Sequence, residues 1–240
     1  MYDFANILLT GRCNRRCPHC IGHTLAGREL PDSLSLFPLP GLPAFLDAMR
    51  QHGICEVSLT GTNTDPLLYH YSGRLIHALR HGVPGVRISL HTNGALALRK
   101  IGIVRLYDRA TISLPSFRPA TYLRMTGSPH MPNLAEILRQ AGIPIKVSVL
   151  VTPDNRPEIG EILHRCHELG VHRLVLRKLY GEDSPDDFFP NVVPVRLFAG
   201  NPVYDRDGME VTVWDFHRST LRCLNLFSDG AIRDAYELAR

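Results

Sequence analysis

Cys13, Cys17 and Cys20 stand in the run Thr10-Gly11-Arg12-Cys13-Asn14-Arg15-Arg16-Cys17-Pro18-His19-Cys20, directly after the apolar segment Ile7-Leu8-Leu9. Three thiolates on one short loop can hold three corners of a cubic [4Fe–4S] cluster and leave the fourth iron without a protein ligand. A cluster that only carries electrons normally has four cysteine ligands. An open iron beside a strand end is a place to bind and reduce something. Zinc is the other chemistry open to these residues. It asks for a fourth Cys or His at comparable spacing, often from a second C-x2-C pair, and His23 is the nearby candidate.

Such a loop needs a strand behind it and a cavity in front. Six segments read as strands: Asn6 to Leu9, Glu56 to Leu59, Val86 to Leu90, Ala110 to Leu114, Ile145 to Val151 and Arg173 to Arg177. They are short and rich in Val, Ile and Leu, as strands buried on both faces tend to be. Helical stripes lie between them, such as Leu68, Leu75 and Leu79, then Leu134, Ile137, Leu138 and Ala141, then Ile159, Ile162, Leu163, Cys166 and Leu169. Gly53, Gly82, Gly142 and Gly170 sit where helices would stop. This alternation predicts an α/β fold with a parallel sheet and right-handed crossovers. Six units are too few for a closed eight-stranded barrel.

From about Phe189 the pattern changes. Val203 to Val211 reads as a hairpin around Asp207-Gly208, and Leu224 to Ile232 as a second one around Asp229-Gly230. The expected division is therefore a barrel over 1–188 and a short β appendage over 189–240 that packs on it. The appendage carries Tyr204, Trp214, Asp215, His217 and Asp229, a set expected either to handle substrate or to cover a barrel edge. The long connection from Ile21 to Pro40 is a candidate lid or cluster cover.

The chain of 240 residues, 44% hydrophobic and 21% charged, suits one large globular α/β unit. No apolar stretch approaches a membrane span, and Met1-Tyr2-Asp3-Phe4 lacks the features of a secretory signal. A cytoplasmic location is expected, where cysteines stay available for iron. The net charge of +4 is modest and the arginines are scattered, so nothing argues for nucleic acid.

Ligands in parallel α/β architectures sit at the carboxyl ends of the strands, so the polar residues after each strand should share one cavity. Thr60-Gly61-Thr62-Asn63-Thr64-Asp65-Pro66 follows the second strand and His91-Thr92-Asn93-Gly94 the third. The fourth is followed by Ser113-Leu114-Pro115-Ser116 and then Tyr122-Leu123-Arg124-Met125-Thr126-Gly127. The sixth ends in Arg177-Lys178, whose charges could meet an anionic substrate or simply flank the sheet. Each also has a plain reading: a Thr/Asn helix cap, an Asn-Gly turn, a solvated helix arginine. Cys55 and Cys166 read as small core residues. His164 and His167 could share a helix face, but no further ligands accompany them.

The cysteine spacing, with His19 before the last cysteine, resembles the signature of the radical S-adenosylmethionine (radical SAM) family. The turn that ends in Asp65-Pro66 is similar to that family's Gly-Gly-Glu-Pro turn, with two additional residues before it. The segment from Ser113 through Tyr122 and Arg124 resembles the branch of molybdenum-cofactor GTP cyclases and peptide maturases. The run around Cys223 is similar to the start of that branch's auxiliary-cluster domains, though Cys223 stands alone. This resemblance implies an open, partial (β/α)6 barrel. It implies a [4Fe–4S] cluster on Cys13, Cys17 and Cys20, and S-adenosylmethionine (SAM) bound through its amino and carboxylate groups at the open iron. His19, Thr60, Gly61, Thr62, Asn63 and Asp65 would border the methionine end of SAM. His91, Thr92 and Asn93 would lie near methionine and ribose, Ser113 would contact ribose, and Arg124 could face the carboxylate.

The implied activity is reductive cleavage of SAM to a 5′-deoxyadenosyl radical that abstracts hydrogen from a small-molecule or peptide substrate. An electron donor such as flavodoxin or ferredoxin would supply the electron. The alternatives are a glycyl-radical-enzyme activase and a non-catalytic iron–sulfur or zinc protein that binds a partner. Against the activase, the fourth strand continues Ser113-Leu114-Pro115 rather than Asp-Leu-Lys.

Overall fold

The computed structural model describes residues 1–24, 30–181 and 188–234. Six parallel strands follow the chain in order: β1 (Phe4–Leu9), β2 (Glu56–Gly61), β3 (Arg87–Thr92), β4 (Arg109–Ser113), β5 (Ile145–Leu150) and β6 (Arg173–Arg177). Helices α1 (Leu42–Gln51) and α2 (Ser72–Gly82) carry the first two crossovers. The short α3 (Ile101–Val104), then α4 (Pro119–Thr126), α5 (Leu134–Ala141) and α6 (Ile159–Glu168) carry the others. Gly142 ends α5 in the left-handed conformation (φ 65°), the stop its position predicts. Gly82 instead lies in the last turn of α2, where a Cβ would approach Leu46 Cδ1 to 2.8 Å.

The two hairpins form where Asp-Gly predicts them. They comprise β8 (Asn201–Arg206) with β9 (Met209–Trp214), and β10 (Cys223–Phe227) with β11 (Ile232–Arg233). Asp207 and Gly208 both take positive φ, 55° and 82°, as a tight two-residue hairpin turn requires. Neither hairpin is set apart from the barrel. Strand β9 pairs in parallel with β6, and β10 pairs in parallel with β1. With β7 (Arg196–Phe198) at one edge, a single open sheet runs β11-β10-β1-β2-β3-β4-β5-β6-β9-β8-β7. The division expected after residue 188 thus falls within one continuous sheet.

Alternate residues of a strand face opposite sides, and here the two sides differ sharply. Ile7, Val57, Leu59, Ile88, Leu90, Ile112, Val147 and Leu174 pack under the helices in one core. The opposite, inner side carries Asn6, Ser58, Ser89, Thr111, Ser148 and Asn225. Asn6 Nδ2 donates to Asn225 Oδ1 at 2.9 Å, and the Ser58 and Ser89 hydroxyls share a bond of 3.1 Å. The strands are therefore apolar toward the helices and largely polar inside, rather than apolar on both faces. Of these inner residues Ser148, with Ser113 at the end of β4, reaches the cavity of the candidate active site.

Candidate active site

The cysteine loop leaves the end of β1 and is tied to its surroundings on three sides. At its root, Thr10 N donates to Ser33 Oγ at 3.0 Å, while Thr10 Oγ1 bonds Thr62 Oγ1 at 2.9 Å and accepts from Ser228 Oγ at 3.0 Å. Gly11 N donates to Asn63 Oδ1 at 3.1 Å. In the middle of the loop, Arg15 reaches across to the α4–α5 connection and donates to Ser128 Oγ (3.0 Å) and His130 O (2.6 Å). Arg16 N donates to Thr126 O at 2.9 Å. At its far end, Cys20 N donates to Cys17 O and His23 N to Cys20 O, which winds the chain tightly. Gly22 lies so close to the β2 turn that a Cβ there would sit 2.4 Å from Thr62 O.

Asp65 organises the two polar turns next to this loop. Its carboxylate is buried and accepts from Leu67 N (2.9 Å), from Thr92 Oγ1 (3.0 and 2.8 Å to its two oxygens) and from Asn93 N (2.6 Å). Burial pushes its pKa up, while the bonds from Asn93, Thr92 and Leu67 pull it back. Asn93 Nδ2 then donates to Asn14 Oδ1 at 2.8 Å, and Cys13 Sγ lies 3.6 Å from that same oxygen. Held by three protein donors, the Asp65 carboxylate positions both turns.

Loop and strand ends open on one cavity of about 440 Å³, within the ~300–1,000 Å³ range of small-molecule sites. Cys17, His19 and Cys20 border it on one side, Asn93, Ser113 and Tyr122 along the middle, and Arg177, Tyr180 and Phe216 on the far side. Burial pushes the Cys17 thiol up to about 11 and raises Cys13 as well. Metal binding by these thiols therefore displaces protons. Deeper on the inner face, burial and then the Arg177 charge lower His91 to about 3, so its imidazole stays neutral. The same two causes, with Arg173 and Arg109 after them, lower Lys146 to about 8.

Of the residues singled out in the sequence, Cys17, Cys20, His19, Asn93 and Ser113 line the cavity. Thr62, Asn63, Asp65 and Thr92 form its scaffold through the bonds just described. Gly61 ends β2, where a Cβ would fall 1.9 Å from Thr64 O, and Thr60 and His91 lie on the inner face below the mouth. Arg124 is not brought to the cavity lining. It is half exposed and donates from Nε to Asp154 Oδ1 at 3.1 Å, as a solvated helix arginine does.

Ile21 and His23 of the expected lid line the cavity. Residues 25–29 of it lie outside the described residues, and Ser33 packs beneath the cysteine loop. In the C-terminal set, Asp215 lies 3.5 Å from Lys178 Nζ, His217 stacks on Tyr180 with centroids 5.8 Å apart, and Tyr204 packs on Phe189 at 4.8 Å. Asp229 accepts from Ala231 N in its turn. Trp214 lies edge-on to Phe216. Phe216 is not legible as a site residue, because nothing local marks the β6–β9 pairing that carries it to the cavity, and Arg15, Ser148 and Tyr180 carry no motif that sets them apart from their neighbours.

The donor set fits a cluster better than a single ion. Among the described residues no three His, Cys, Asp or Glu side chains converge as one metal ion demands. Three cysteines on one loop instead suit thiolates that each bind a different iron. The model of the radical SAM superfamily matches residues 7–166. A GTP 3′,8-cyclase of Mycobacterium ulcerans is 30% identical over 188 residues, covering 72% of this chain and 49% of that protein. A GTP 3′,8-cyclase of Rhodopseudomonas palustris is 26% identical over 219 residues, covering 85% and 62%. The chain spans about half the length of the first of these.

The fold is similar to that of Streptococcus suis SuiB bound to its precursor peptide SuiA, with TM-score 0.58 and 19% identity over 74% of this chain and 40% of that one. It is also similar to anSMEcpe with bound AdoMet, with TM-score 0.56 and 14% identity over 78% and 55%. The sheet is open, as in a partial TIM barrel. The match over residues 7–166, with three cysteines on one loop at the carboxyl end of the first of six parallel strands, places this chain in the radical SAM superfamily of enzymes.

Proposed function

We propose that Cys13, Cys17 and Cys20 hold a [4Fe–4S] cluster, that SAM binds beside it in the cavity, and that the chain abstracts hydrogen from a small-molecule substrate. When bound, cluster and SAM supply one-electron cleavage of a C–S bond and a carbon radical at the deoxyadenosyl group. The residues of this chain do the rest. Arg15, Asn14 and the Asp65-bound turns fix the loop, so that the sulfurs keep their spacing. Asn93 and Ser113 offer hydrogen bonds to the cofactor along the middle of the cavity. Tyr122, Met125 and Phe216 help to wall the space from water and from stray hydrogen donors.

The observation that carries this reading is the opening of Cys17 and Cys20 into the same cavity as the polar strand ends. A purine nucleotide is the second reading for the substrate, because the relatives are named GTP 3′,8-cyclases. The test is anaerobic. Protein reconstituted with iron and sulfide, then reduced in the presence of SAM, should release 5′-deoxyadenosine and methionine. Full cluster content without 5′-deoxyadenosine would refute it. GTP offered to the same protein tests the second reading by its consumption.

A further inference from the structure

Arg177 is the last residue of β6 and lines the cavity. Its Nε is out of contact with solvent and has no hydrogen-bond partner, and among the described residues no carboxylate pairs with it. The guanidinium lies over the Phe216 ring, 5.9 Å from its centroid. A buried charge is normally paired or hydrogen-bonded, and a guanidinium cannot escape the cost by losing its proton.

The groups around it add to the imbalance. Lys146 feels Arg177 as a repulsive charge, and the neutral His91 offers it no compensating one. The nearby acid Asp215 is engaged with Lys178 at 3.5 Å. Ser148 on β5 lines the same cavity, and its hydroxyl makes no hydrogen bond among the described residues. An unpartnered buried N–H of a guanidinium and a free hydroxyl thus belong to residues that line one cavity. Oxyanions match that donor set, since a guanidinium fork takes carboxylate or phosphate oxygens two at a time.

We propose that Arg177, with Ser148, seats a carboxylate or phosphate group of the substrate, so that the chain acts on a small organic anion. This rests on the proposed function above. The group belongs to the substrate and not to SAM. Strand β6 stands five places across the sheet from the cysteine strand β1, whereas the turns assigned to the cofactor follow β2, β3 and β4. An anion at Arg177 leaves the rest of the substrate extending back toward the cysteine side, where hydrogen would be taken.

The experiment titrates inorganic phosphate and, separately, propionate into reconstituted protein by calorimetry at constant ionic strength, with and without saturating SAM. A titration with SAM alone comes first, and its failure counts against the proposed function, while the anion titrations still report on Arg177. At least one anion should bind saturably to the wild type. Arg177→Gln should weaken it by tenfold or more with SAM affinity unchanged, Arg177→Lys should retain part of it, and Ser148→Ala should weaken it by a smaller factor. Arg118→Gln, at a surface arginine paired with Glu161, should bind as the wild type does. Tighter phosphate binding identifies a phosphate monoester as the substrate class, and tighter propionate binding a carboxylic acid. No saturable binding of either anion would overturn the proposal, as would binding that survives Arg177→Gln. A variant that loses affinity for SAM but not for the anions would overturn it too, by assigning Arg177 to the cofactor. Iron content and thermal unfolding of each variant separate these results from misfolding.

Discussion

Asn93 donates from Nδ2 to Asn14 Oδ1 over 2.8 Å and thereby joins the turn after β3 to the cysteine loop, 79 residues away in sequence. The backbone N–H of the same Asn93 is held by the buried Asp65 carboxylate. A short relay of Asp65, Asn93 and Asn14 therefore supports the loop that carries Cys13.

That relay can be broken at either end with different results. Asp65→Ala leaves the Asn93 and Leu67 N–H groups and the Thr92 hydroxyl without their acceptor, and should lower unfolding free energy by about 2–4 kcal/mol. It should also weaken SAM binding, because both polar turns lose their common anchor. Asn93→Ala keeps the backbone bond to Asp65 but removes the link to Asn14 and the acceptor of Ala95 N. The fold and the iron content should persist, but the cluster should bleach faster when a chelator is added. Equal bleaching rates in Asn93→Ala and wild type would show that the loop needs no such support.

The six cysteines should divide cleanly. Reconstituted protein should contain about four irons in one cluster, and Cys13→Ala, Cys17→Ala or Cys20→Ala should each abolish it. Cys55→Ala, Cys166→Ala and Cys223→Ala should not. Cys55 is exposed, Cys166 lies in the core with burial pushing its thiol up to about 12, and Cys223 sits on β10. Iron counting with visible absorbance decides this, and a stoichiometry near eight would implicate Cys223 in a second cluster.

Lys146 gives a signature in pH. Folded, it releases its proton near pH 8 instead of at its ordinary 10.5, chiefly because burial disfavours the charge. Between those values the unfolded chain binds more protons than the folded one, so this group makes stability rise as pH rises. Lys146→Met should remove that contribution. Denaturant unfolding at about pH 7.5 and about pH 9.5 should show the wild type gaining roughly 1–2 kcal/mol more than the variant across the interval. Parallel behaviour of the two proteins would place the ammonium in water.

Two glycines should respond oppositely to a methyl group. At Gly61 a Cβ would lie 1.9 Å from Thr64 O, so Gly61→Ala must displace the β2 turn and should weaken SAM binding together with thermal stability. At Gly160, in α6, nothing lies within 4 Å of the added atom. Gly160→Ala should therefore stabilise the protein by about 0.5–1 kcal/mol through helix propensity and a less flexible unfolded chain. Melting curves of the two variants, moving in opposite directions, would confirm both.

The cysteine spacing and the six strand–helix repeats were readable because each depends on neighbours in sequence. The hairpins at Asp207-Gly208 and Asp229-Gly230 were readable for the same reason. What β9 and β10 pair with was not, since Arg173 opposite Glu210 and Phe4 opposite Cys223 are relations between distant segments. The polar inner face escaped notice too. Ser58, Ser89 and Ser148 look unremarkable one at a time, and only the sheet lines them up. The place of Asp65 in its turn points toward the cofactor, while its bonds from Leu67, Thr92 and Asn93 are relations that only the fold brings together.

Strand β1 is flanked on one side by β10, so that Asn6 meets Asn225 across 219 residues, and Ser228 just beyond β10 reaches back to Thr10 at the root of the cysteine loop. On the ribosome the three cysteines emerge long before that flank exists. Until β10 arrives, β1 has an open edge and Thr10 lacks one of its three hydroxyl-bearing neighbours. Long-range pairing of this kind is slow to form. Iron delivered early would meet thiols on a loop not yet held in place, so the cluster proposed for Cys13, Cys17 and Cys20 should be retained only once the sheet is complete.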